Sequence, residues 1–134
     1  MPTKQKTWTE KLGHPEKPHL TTLPKSIWGA QAGDVLLIST PNDIKSYIEK
    51  IRLGETTSVQ AMRADLAGEK NAATTCPLTT GIFLRIVAEA ALERLELGED
   101  PTPFWRVVDP KSPLAKKLSC GPDWISSKRI SESR

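Results

Sequence analysis

Proline placement restricts this chain more than any other feature. Of its eleven prolines, four (Pro2, Pro15, Pro18 and Pro24) fall before Lys25, where no apolar periodicity joins them. Each fixes φ and removes a backbone donor, so residues 1–33 are expected to form an extended or partly disordered basic arm. Trp8 and Leu12 are the exception, because a four-residue spacing suits one helical turn docked on the body.

The body is expected over residues 34–125. Asp34-Val-Leu-Leu-Ile-Ser39 has the length and β-branched content of a buried strand. Asn42 or Asp43 then caps a helix in which Ile44, Tyr47, Ile48 and Ile51 share one face, with a stop near Leu53-Gly54. Thr57-Ser-Val-Gln60 has the form of a capping box, followed by Val59, Met62 and Leu66 as an apolar stripe and Gly68 as a stop. After Cys76-Pro77-Leu-Thr-Thr-Gly81, a third, mostly buried helix runs from Ile82 to about Leu97, with Arg85, Glu89, Glu93 and Glu96 on its polar edge. Phe104-Trp-Arg-Val-Val108 has the aromatic and β-branched content of a strand. Residues 126–134 are expected to be a basic tail. The fold class that this order implies is mostly α with a small β component, a winged helix-turn-helix.

A length of 134 residues fits one such domain with terminal extensions and excludes two full cores. No apolar run approaches the roughly 18 residues needed to span a bilayer, and the basic amino terminus leads into no apolar segment. A soluble cytoplasmic protein without membrane contact is therefore expected. Two cysteines, Cys76 and Cys120, do not make a disulfide framework and read as reduced thiols. Neither a Cys-x-x-Cys nor a His pair near cysteine is present, and His14 and His19 lack ligand spacing, so no metal and no cofactor is expected.

The formal net charge of +3 invites a nucleic-acid reading, but its distribution matters more. Residues 1–25 carry five Lys against two Glu, and residues 111–134 carry six basic against two acidic side chains. The stretch between them holds eight basic and twelve acidic residues, so the basic character belongs to the ends. Lys111, Lys116, Lys117, Lys128 and Arg129 are the candidates for a salt-dependent phosphate contribution.

Two segments carry a family resemblance. Leu53-Gly-Glu-Thr-Thr-Ser-Val-Gln60 resembles the turn and first helix of the alkylguanine-DNA alkyltransferases, and Pro103-Phe-Trp-Arg-Val-Val108 resembles their Pro-Cys-His-Arg-Val active-site motif. The resemblance covers about Ile51 to Gly121. It implies a winged-helix domain that enters the minor groove, flips an alkylated guanine from the stack and moves the alkyl group to the motif cysteine.

Phe104 stands in the cysteine position and Trp105 in the histidine position. A phenyl ring cannot accept an alkyl group and an indole has no basic nitrogen, so no catalysis is expected. An aromatic residue in place of the cysteine is similar to the alkyltransferase-like branch, which binds lesions without repairing them. Leu78-Thr-Thr-Gly81 lies where the family's arginine finger would be, and Val59 where its tyrosine would be.

The expected function is thus that of a non-catalytic, monomeric DNA-binding protein sensing alkylated bases in a DNA damage response, nucleoid-associated in a bacterial cell. Double-stranded DNA, plain or alkylated, is the expected partner, with a repair protein as a second. Thr57, Ser58, Thr79, Thr80, Gly81, Arg85, Lys111 and Lys128 are the DNA-contact candidates; Pro103, Phe104, Trp105, Arg106 and Val107 form the expected base pocket. Thr79 or Thr80 equally suits a helix cap, Gly81 close helix packing, and Arg85 a pair with Glu89. The acidic edge continuing through Glu99 and Asp100 must face away from DNA, toward a protein. Two further readings stand beside this one: a protein-interaction module on a degenerate winged-helix fold, and an enzyme using Cys76.

Overall fold

The computed structural model describes residues 7–13 and 17–133. Residues 1–6, His14, Pro15, Glu16 and Arg134 lie outside that description, and with them the expectations for the first residues of the arm and for His14. The described chain is mostly helical, with a small three-stranded sheet.

The arm contains regular structure. Helix α1 (Trp8–Leu12) starts on a reciprocal capping box between Thr7 and Glu10, and Leu12 is buried in the main core. Glu93 of α4 (Pro77–Glu96) holds its start, accepting from the amides of Trp8 at 3.1 Å and Thr9 at 2.8 Å and from the Thr9 hydroxyl at 2.8 Å. Strand β1 (His19–Thr22) then pairs antiparallel with β2 (Val35–Ile38), Leu20 opposite Leu37. Only an extended segment was expected here. Five residues separate Pro18 from Pro24, four of them form the strand, and the exposed side chains of those four conceal it in the sequence. Strand β3 (Thr74–Thr75) adds to the other edge of β2 in parallel, so the order is β1-β2-β3.

Helix α2 (Pro41–Glu49) buries Ile44 and Ile48 on the expected face. Its cap is Thr40, whose hydroxyl accepts from the Asp43 amide while Asp43 accepts from the Thr40 amide. Helix α3 (Val59–Glu69) is capped by Ser58, which accepts from the Ala61 amide at 3.0 Å, rather than by the expected Thr57–Gln60 box. Thr57 instead donates its amide to the Arg106 carbonyl at 2.7 Å. Helix α4 begins five residues earlier than the periodicity suggests, because Pro77 suits the first helical position.

The strand expected over Phe104–Val108 is a 3-10 turn, Phe104–Arg106. Pro103 precedes it, and the backbone closes on itself through Val107 and Val108 amides donating to the Phe104 carbonyl. Helix α5 (Pro113–Lys117) and helix α6 (Gly121–Glu132) follow, so most of the expected tail is helix. Ile44, Ile48, Met62, Leu84, Phe104 and Ile125 are fully buried in one core joining α2, α3, α4 and α6. A smaller cluster of Leu23, Ala30 and Leu36 lies under the sheet.

Candidate nucleic-acid interface

The expected base pocket is occupied by core. Phe104 is 0% exposed, its ring stacked on Trp124 at 5.7 Å and set edge-on to Trp105 at 5.5 Å. Trp105 and Val107 are buried as well, and Pro103 is half-buried. Arg106 does not face a groove. Its Nε and Nη2 donate to the Glu132 carboxylate at 2.9 Å each, and Nη1 donates to the Ile51 carbonyl at 2.8 Å. The guanidinium ties the chain just after α2 to the end of α6, while the Arg106 carbonyl, accepting from the Thr57 amide, holds the entry of α3. Gly54 completes the junction: at φ 85 it lies so near the Glu132 carbonyl that an added Cβ would come within 3.1 Å of it.

The other candidates divide into occupied and free groups. Thr80 is buried and donates its hydroxyl to the Cys76 carbonyl at 2.7 Å; Thr79 donates to the same oxygen at 3.4 Å. Neither hydroxyl is left aimed at a phosphate. Lys128 lies over the rings of Trp105 and Trp124 at 5.3 and 5.4 Å, and Arg129 donates to the carbonyls of Trp105 and Val108. Both are half-buried fastenings of α6 rather than a basic tail. Ser58 is used as a cap, whereas Lys111, Lys116 and Lys117 are exposed.

The acidic edge of α4 also has internal work. Glu89, buried, accepts from the Ser119 amide and hydroxyl, the latter at 2.6 Å, and so does not pair with Arg85. Burial pushes the Glu93 carboxyl up, but hydrogen bonds from Thr9 and Trp8 outweigh it and hold the group below the usual carboxylate range. Glu99 pairs with Arg94 at 3.1 Å.

What remains open is the beginning of α4. Pro77, Leu78, Gly81, Ile82 and Arg85 face Leu114 and Lys117 across a groove of about 260 Å³. Leu78 is 71% and Ile82 52% exposed, although both sit on the helix that forms the centre of the core. The two charged residues lining this groove are Arg85 and Lys117, both cationic. Arg85 extends over the Trp8 ring at 5.4 Å, and its buried Nε has no hydrogen-bond partner among the described residues. Position at the start of the helix selected Gly81 and Arg85 from the sequence but missed Leu78 and Ile82, which the neighbouring elements leave exposed.

Other concavities open at the start of α3 and between α2 and α3. One, about 360 Å³, lies between Thr57, Val59 and Gln60 and the segment Val107, Asp109 and Ser112. The other, about 680 Å³, lies between α2 and α3 and includes Tyr47, Lys50, Glu55, Asp65 and Glu69. There Tyr47 donates its hydroxyl to Asp65 at 2.5 Å, and burial, with that carboxylate, pushes the phenol up to about 12.

Cys76 at the start of α4 is half-buried. Burial pushes its thiol up, yet hydrogen bonds from the backbone and side chain of Thr79 and from the Leu78 amide, with Arg63 nearby, take it below the usual range. No group of three or more potential metal-ligating side chains occurs among the described residues, and no helix there is long and apolar enough to cross a membrane. Compared with models of protein families, with curated proteins and with solved structures, the chain gives no match.

Proposed function

We propose that the protein is a non-catalytic DNA-binding protein of the alkylguanine-DNA alkyltransferase type, which docks on duplex DNA through the first two turns of α4 and takes part in recognising alkylated bases. The observation that carries this reading is the α4 groove, where two exposed apolar side chains, Leu78 and Ile82, are flanked by Arg85 and Lys117 with no acidic lining residue. Apolar wedges framed by cations suit a minor groove that must be opened, because they unstack a base step while the cations neutralise phosphates. In this reading Leu78 and Ile82 enter where the family's arginine finger would, and Lys111, Lys116 and Lys117 add backbone contacts.

The winged-helix part of the proposal rests on helix order. Helices α3 and α4 follow one another through residues 70–76, and the start of the second helix of such a pair is the part that meets base edges. The sheet precedes or interrupts these helices in the sequence instead of following them. Non-catalytic action fits the identity of Phe104 and Trp105, whose rings offer neither a nucleophile nor a base and are buried besides.

The experiment is an anisotropy titration of duplex DNA with the protein and its L78E and K117E variants. Loss of affinity in L78E on every duplex, and a salt slope smaller by about one in K117E, support the reading. Unchanged binding in both sinks it.

One observation favours the protein-interaction alternative: Leu78 and Ile82 present an apolar face of the kind that also meets protein partners. That alternative predicts a purified sample free of nucleic acid that captures a stable protein partner, with L78E abolishing capture.

A further inference from the structure

A hairpin tip carries a residue its geometry disfavours. Between Leu23 and Asp34 the chain turns back on itself, with Ile27 and Ala30 exchanging both backbone hydrogen bonds at 3.0 Å around the two-residue tip Trp28-Gly29. Both tip residues have positive φ, 55° at Trp28 and 77° at Gly29. Such a turn favours Asn, Asp or Gly at its first position and Gly at its second, since a bulky side chain is strained in the left-handed region. Gly29 obeys that preference and Trp28 does not.

Packing does not explain the exception. Trp28 is 40% exposed, and the cluster under the sheet is built from Leu23, Ala30 and Leu36 with Ile27, Ile38 and Cys76 against it, without the indole. The ring instead borders a concavity of about 210 Å³ with Gln60, Arg63, Ala64, Ala73 and Thr74. Arg63 is the one charged residue lining it. Its Nε and Nη2 donate to Thr74 and Thr75 of β3, fixing the guanidinium, and Nη1 takes no part in those bonds.

We propose that Trp28 is a stacking platform for an unpaired nucleobase, with Gln60 reading the base edge and Arg63 facing the attached phosphate. An aromatic face beside a fixed cation and an amide selects a planar, anionic, hydrogen-bonding ligand and disfavours a cationic one. Gln60 also borders the 360 Å³ concavity at the start of α3, so the two hollows meet at one side chain. With a second hollow beginning at the same side chain, a nucleotide within a strand has room for its neighbour, and to this extent the proposal rests on the DNA-binding reading above. Strain retained at an exposed aromatic fits a site held ready for its ligand.

The test compares three probes: a labelled duplex with one unpaired adenine, the same duplex fully paired, and adenosine monophosphate. The wild type and the W28G, W28A and W28F variants are titrated with each. The proposal expects W28G and W28A to lose about tenfold in affinity for the bulged duplex and little for the paired one, with W28F keeping most of it. It also expects W28G, freed of backbone strain, to melt no lower than the wild type, whereas an aromatic held for packing would lower the melting temperature when removed. Equal binding of the bulged duplex by W28G and wild type overturns the proposal and leaves the DNA reading intact. Saturable binding of adenosine monophosphate by the wild type, without preference for the bulge, overturns it in favour of a free nucleotide. Failure of the wild type to bind either duplex overturns both.

Discussion

Arg106 and Glu132 form a two-point ion pair, Nε to Oε1 and Nη2 to Oε2 at 2.9 Å each, with both side chains only 13% exposed. They are 26 residues apart in the chain, and the pair fastens the end of α6 to the turn that resembles an active-site motif. Removing one partner leaves a poorly solvated charge, so E132A is expected to lose about 3 kcal/mol of stability in urea unfolding.

The same pair sets an acid limit. The hydrogen bonds from Arg106 hold the Glu132 carboxyl below the ordinary glutamate value of 4.5. A depressed folded pKa means that the contribution is complete above that ordinary value and is lost as pH falls through the folded one. The difference in urea midpoint between wild type and E132Q should therefore be large at neutral pH and shrink as the pH is lowered below the glutamate range.

Tyr47 is the single tyrosine of the chain, which makes it directly observable. Burial and the Asp65 carboxylate push its hydroxyl from 10.0 up to about 12. A raised folded pKa stabilises the fold fully below the unfolded value and ceases to do so as pH rises through the folded one. Tyrosinate absorbance should titrate near 12, and D65N should bring the midpoint down toward the ordinary phenol range.

Placing a cysteine where the alkyltransferase motif has one should not confer that motif's chemistry. Phe104 is fully buried between two indoles, so F104C leaves a cavity costing about 3 kcal/mol and a thiol that DNA does not reach. After incubation with duplex containing O6-methylguanine, the intact mass of F104C should be unchanged. A gain of one methyl group would show that the pocket opens.

The two native cysteines should separate in reactivity. Thr79, Leu78 and Arg63 stabilise the Cys76 thiolate beyond what burial costs, whereas burial pushes the Cys120 thiol up, with Glu89 adding to it. Alkylation by iodoacetamide followed by peptide mass mapping should find Cys76 modified first, with its rate reaching a plateau at lower pH.

Where local pattern decided the structure, the sequence was readable. The Val35–Ile38 strand, the Ile44/Ile48 face of α2 and the Met62/Leu66 face of α3 all follow from period and turn residues. Contacts between distant residues were not readable. Phe104-Trp-Arg reads as a strand by composition, and becomes a 3-10 turn because Arg106 must reach Ile51 and Glu132 while Phe104 packs on Trp124. Lys128 and Arg129 read as phosphate-contacting charges near the end of the chain; their partners, the Trp105 ring and the Trp105 and Val108 carbonyls, lie more than 20 residues away. The interface candidates shifted for the same reason, toward Leu78 and Ile82 beside the expected Lys117 and away from Thr80 and Arg106.

Affinity for duplex DNA as a function of salt tests the central claim most directly. Anisotropy titrations of matched duplexes with and without O6-methylguanine should give a dissociation constant of about 10⁻⁶ M or tighter at low salt. Affinity should fall as salt rises, be stronger for the alkylated duplex, and weaken in L78E. No change in anisotropy for either duplex at low salt and roughly 100 µM protein, the weak limit of ordinary non-specific binding at physiological salt, would contradict the account.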